Sequence, residues 1–95
     1  MEKASTMNEL NREALVILQE ECAEVIQATS KCFRFGLDNA HKSGATQRAN
    51  LEMEIGDMLA LVDILVEQGV VDITNISTAK ENKIEKLKIW SHLYD

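Results

Sequence analysis

Glu20-Glu21-Cys22-Ala23-Glu24 and Glu54-Ile55-Gly56-Asp57 are the two stretches that decide how this 95-residue chain is read. Residues three apart on an α-helix lie about 60° apart around its axis, so Glu21 with Glu24, and Glu54 with Asp57, project as side-by-side carboxylate pairs. The apolar residues around them indicate the fold. On a helical wheel with Leu10 at the origin, Ala14, Ile17, Leu18, Val25, Ala28 and Cys32 fall within about 80°, and Glu21 falls at about 20°. From Leu51, the residues Ile55, Met58, Leu59, Val62, Leu65 and Val66 form a second stripe, with Glu54 between Leu61 and Leu65 and Asp57 at the margin beside Ile64. Two successive helices thus turn acid pairs toward their apolar sides.

Ionised carboxylates are rarely buried without a positive partner, because desolvating an unpaired charge is costly. A divalent cation is the simplest partner for four of them. Oxygen donors with no nearby histidine suit Mg²⁺, with Mn²⁺ as a possible substitute, better than zinc, whose sites favour Cys and His. A carboxylate-bridged di-iron bundle would want Glu-x-x-His on two helices, and neither pair has it. His41 and His92 read as surface residues. There is no Walker-type glycine loop and no Ser/His/Asp set. Magnesium held by carboxylates is characteristically bound by substrate phosphates as well, which makes phosphate-ester or anhydride chemistry the leading class.

Composition agrees with one small helical unit. The chain is 45% hydrophobic and has no proline, which suits a single all-α domain over residues 1–95, a bundle of about three helices whose core needs help from a second copy. Sixteen acidic against ten basic residues give a formal charge of -6 and argue against a nucleic-acid binder, whose phosphate contacts need a basic surface. Cys22 and Cys32 share a predicted helix about 15 Å apart, too far for a disulfide, and read as buried reduced thiols. No apolar run approaches a membrane span and residues 1–6 lack the apolar core of a signal peptide, so an intracellular, cytoplasmic protein is expected.

Thr6-Met7-Asn8-Glu9 has the form of a capping box, which predicts a first helix from about residue 7 to 32. Leu15, Cys22, Ala23 and Ile26 make its opposite side apolar too, as expected of a helix that also packs on another subunit. Phe33-Arg34-Phe35-Gly36-Leu37 ends the helix, with Gly36 available for a left-handed conformation, and a polar loop follows to Thr46. In that segment the phenylalanines either contact a base while Arg34 meets phosphate, or plug the end of the bundle.

The second helix is predicted over about 47–68, stopping at Gly69, and Asp72 or Thr74 caps a third that runs nearly to the end. Ile73, Ile76, Ile84, Leu87, Trp90 and Tyr94 form its apolar stripe, and Lys80 and Lys83 fall inside that stripe. Those lysines either face the carboxylates and substrate phosphates or snorkel to solvent. The run Gly69-Val70-Val71-Asp72-Ile73 is too short to found a sheet.

Glu20-Glu21-x-x-Glu24 followed by Glu54-x-x-Asp57, on two helices with a loop between them, resembles the MazG-like, all-alpha nucleoside triphosphate pyrophosphohydrolases. The resemblance extends to Lys31 to Gly36 and to the lysine-bearing last helix, and covers most of the chain. It implies Mg²⁺-dependent hydrolysis of nucleoside triphosphates to monophosphate and pyrophosphate. It implies Glu21, Glu24, Glu54 and Asp57 as metal ligands, with Glu20 the neighbouring acid of the motif. It also implies a homodimer, or a homotetramer built from dimers.

The mechanism expected from these residues has the acids holding metal against the triphosphate, while Glu20, or whichever of Glu21 and Glu24 stays free of the metal, accepts the water's proton. Arg34, Lys80 and Lys83 are the candidate phosphate contacts. Two alternatives stand beside this reading. One is a related pyrophosphohydrolase specialised for phosphoribosyl-ATP. The other is a non-catalytic helical interaction module in which the inward acids pair with Lys80 and Lys83.

Overall fold

The computed structural model describes residues 7–40 and 44–95, which form three helices in the order α1 (Glu9–Phe35), α2 (Gln47–Glu67) and α3 (Ile73–Trp90). Each begins at a side chain that satisfies free backbone amides. Asn8 accepts from the Asn11 N–H at 2.8 Å, Thr46 from Ala49 at 3.0 Å, and Asp72 from Thr74 and Asn75 at 2.7 and 3.3 Å. The expected cap at Asp72 is therefore present. Thr6 lies outside the described residues, and Asn8, from the middle of the expected capping box, is the residue that caps α1.

α1 runs three residues beyond its expected end, to Phe35. Gly36 stops it with φ 84°, and its N–H donates to the Cys32 carbonyl at 3.0 Å. A Cβ at this position would meet the Asn39 amide nitrogen at 3.1 Å, so both backbone angle and space favour glycine. Asp38 and Arg48 then tie the loop to the start of α2 through two parallel 2.9 Å bonds, beside a 2.8 Å bond from the Arg48 N–H to the Leu37 carbonyl. Hydrogen bonding to Arg48 holds the Asp38 carboxyl below its ordinary range. The described residues contain one isolated bridge, between Ala40 and Thr46, and no strand.

α1 and α2 pack antiparallel along their length. The Asn11 side-chain amide donates to Gln68 at 2.9 Å near one end, and the Cys32 thiol to the Gln47 carbonyl at 3.9 Å near the other. Facing residue numbers therefore sum to about 79. Ala14, Ala28 and Leu65 are buried in this seam, with Ile17, Leu18, Val25, Met58, Leu61 and Val62 half-buried around them. Leu10 belongs to the same stripe but is 65% exposed, because α2 ends before reaching its level. Cys22 and Cys32 are free thiols and half-buried rather than buried.

α3 packs along neither of the other helices. The elbow before it is held to α2 where the N–H groups of Val70 and Val71 donate to the Leu65 carbonyl at 2.9 and 3.4 Å. Beyond it, Ile73, Ile84, Trp90 and Tyr94 of the expected stripe are exposed, and Ile76 and Leu87 are half-buried. The molecule measures 52 × 37 × 22 Å with a radius of gyration of 16.9 Å. A compact domain of this length would have a radius of about 12 Å.

Candidate active site

The antiparallel seam places the Glu21 level of α1 opposite the Asp57 level of α2. Oxygens of Glu21, Glu54 and Asp57, one from each carboxylate, lie within 4.8 Å of one another. Glu21 and Glu54 are half-buried and Asp57 is exposed at the rim, as its marginal place on the helical wheel predicts. Glu24, one turn after Glu21, is exposed and within hydrogen-bonding reach of Glu54. Both acid pairs thus meet at one place on the seam.

Glu54 sits at the centre of this group, and its carboxyl is pushed above its ordinary range. Desolvation is the first cause, followed by the negative charges of Glu24, Asp57 and Glu21 and a hydrogen bond shared with Glu24. None of these acids is ion-paired among the described residues, whose ion pairs are Asp38–Arg48, Glu85–Lys88 and His92–Asp95. The donors are all carboxylate oxygens, half-buried to exposed and reachable from solvent. Such a set fits a hard divalent cation.

The remaining candidates stand apart. Glu20 is exposed on α1 immediately before Glu21. Arg34 lies ten residues beyond Glu24, about 15 Å along the helix, and its guanidinium covers the Phe35 ring at 4.9 Å. Phe33 is 87% exposed and does not plug the end of the bundle among the described residues. Lys80 and Lys83 are exposed on α3, which does not pack along the seam, and among the described residues neither is ion-paired with the acids. His41 lies outside the described residues.

The family model for the MazG nucleotide pyrophosphohydrolase domain matches residues 10–88, a span that contains both acid pairs and the lysines of α3. The chain belongs to the MazG family. Neither a curated protein nor a solved structure matches it. Membership makes the chain a hydrolase of nucleotide pyrophosphate bonds with a nucleotide as substrate. The acid cluster of this MazG domain lies on the two helices that pack on each other, so its geometry is set within one chain.

One buried polar residue of the MazG domain escapes periodicity reading. Gln47, the first residue of α2, is 3% exposed, and its Oε1 is buried without a hydrogen-bond partner. A polar residue at a helix start normally faces solvent. Here the loop clamped by Asp38 and Arg48 folds Gln47 under the end of α1, and only the tertiary path of that loop reveals it.

Proposed function

We propose that the chain is a Mg²⁺-dependent nucleoside triphosphate pyrophosphohydrolase that converts ribo- or deoxyribonucleoside triphosphates and water to monophosphate and pyrophosphate. The observation supporting this is the meeting of Glu21, Glu54 and Asp57 oxygens within 4.8 Å, beside Glu24, with no ion pair to offset them among the described residues. Glu21, Glu24, Glu54 and Asp57 hold the metal, with Mn²⁺ a possible substitute. Bound metal supplies charge neutralisation at the phosphates and a lowered pKa for the attacking water. Glu20, or whichever of Glu21 and Glu24 is left free of the metal, takes the proton as water's oxygen bonds the α-phosphorus. The bond from that phosphorus to the bridging oxygen breaks, and pyrophosphate leaves with the electron pair.

The working unit is a homo-oligomer, a dimer or a tetramer built from dimers, in the cytoplasm. Support comes from the exposed apolar stripe of α3, from the exposure of Ile26 on α1 and Leu59 on α2, and from a radius well above that of a compact chain. A second copy is also the way for Lys80 and Lys83 to meet phosphate at the acids. No described helix is long and apolar enough to cross a membrane.

Pyrophosphate release from a panel of nucleoside triphosphates, with Mg²⁺, Mn²⁺ or chelator, tests the reading. Metal-dependent release with monophosphate as co-product is expected. Full turnover by folded Glu21→Gln and Asp57→Asn proteins would sink it.

A further inference from the structure

The rim of the seam on which Glu24 and Asp57 sit differs in character on the two sides of the acid cluster. Toward the free end of the hairpin, Glu9, Glu13 and Glu20 line one shallow groove with Val16 and Ile17, and Arg12 is its single cation. A polyphosphate lying that way would meet three like charges. Toward the loop end the rim changes sign. Lys31 follows Glu24 by seven residues and Asn50 precedes Asp57 by seven. Seven residues come within about 20° of two full turns, so each returns to the rim it started from.

Because α1 and α2 are antiparallel, these two displacements run in the same direction, toward the loop. Lys31 and Asn50 are both half-buried, and Lys31 forms no ion pair among the described residues. The Lys31 backbone lies about 10 Å beyond that of Glu24. Side chains on a helix lean toward its N-terminus, so the four-carbon stem carries the ammonium back toward the acids and closes much of that gap. Asn50, whose level on the seam falls between Glu24 and Lys31, offers the two donors of its amide. Gln47 lies at the Lys31 level but is 3% exposed, so its amide lies beneath the rim. Asn50 and Lys31 are thus two half-buried donors on this rim.

We propose that Lys31 and Asn50 form an anion subsite for the pyrophosphate part of the substrate, so that the polyphosphate lies along the rim from the acid cluster toward the α1–α2 loop. This rests on the reading of the acids as the metal centre and adds to it a direction and two binding residues. The ammonium neutralises charge on the departing pyrophosphate, and the Asn50 amide holds a phosphate between metal and lysine.

Inorganic pyrophosphate binding to the full-length protein in Mg²⁺, measured by calorimetry, tests the subsite whether or not any nucleotide turns over. Lys31→Met is expected to weaken it about 10- to 100-fold, Asn50→Ala several-fold, and Lys31→Arg to recover part of the loss. A Mg²⁺-induced rise in melting temperature retained by Lys31→Met shows that fold and metal site survive. Lys86→Met removes one exposed charge from α3 and is expected to leave binding unchanged. Binding by Lys31→Met within twofold of the parent, or equal losses in Lys31→Met and Lys86→Met, would overturn the subsite. Absence of nucleotide turnover by the parent protein, with pyrophosphate still bound through Lys31, would instead overturn the proposed reaction.

Discussion

Replacing Glu54 by glutamine should raise the stability of the metal-free protein and abolish its response to magnesium. Glu54 stands among three other acids and carries the raised carboxyl, so removing its charge relieves repulsion and desolvation that a cation or a proton otherwise relieves. A ligand at 100 times its dissociation constant stabilises the native state by about 2.7 kcal/mol. A chain of 95 residues unfolds with an entropy near 0.2 kcal/mol per kelvin, at about 2.1 cal/mol/K per residue. Saturating Mg²⁺ should therefore raise the melting temperature of the parent by about 13 °C.

Circular dichroism melts in chelator, in MgCl₂ and in NaCl of matched ionic strength separate binding from screening. The pH dependence has a definite sign. A carboxyl whose folded pKa is raised contributes its stability below the unfolded value, near 4.5, and loses it as pH climbs through the folded value. The metal-free parent should lose stability across that window, Glu54→Gln should lose less, and the magnesium effect should grow as the acids ionise. Equal effects of MgCl₂ and NaCl on the parent, or a full magnesium response in Glu54→Gln, would refute the metal centre.

Gln47→Met removes a buried acceptor without a partner and should stabilise the protein by about 1–2 kcal/mol, or roughly 5–10 °C in a thermal melt. Leu65→Ala empties the one fully buried large side chain of the seam, and denaturant titration should show a loss of about 2–5 kcal/mol. Dilution through the dissociation range should lower both the sedimentation coefficient and the melting temperature if a second copy covers α3, since only association makes stability concentration-dependent.

The parts of this fold visible in the sequence are those governed by local periodicity. The inward turn of Glu21 and Glu54 follows from 3.6 residues per turn and the apolar residues around them. The cap at Asp72 and the stop at Gly69 follow from the backbone needs of helix ends. What the sequence leaves open depends on where another element begins or ends. Leu10 has the right angle on the wheel but no facing residue, because α2 stops short of it. The stripe of α3 marks an apolar face without recording what packs on it, and Lys80 and Lys83, though in that stripe, form no ion pair with the acids among the described residues. Gln47 is buried by the path of a clamped loop, which no residue pattern encodes.

The near-constant sum of facing residue numbers along α1 and α2 has a consequence for how such chains tolerate insertions and deletions. Residues added around Gly44, in the loop, lengthen the connection without entering either helix that carries an acid pair, and the entropic cost of a longer loop grows only slowly. One residue added inside α2 ahead of Glu54 instead swings Glu54 and Asp57 by about 100° away from Glu21 and advances them along the axis. The spacing between the two acid motifs is therefore free to drift through the loop, while the short stretch from Gln47 to Asp57 has to keep its length.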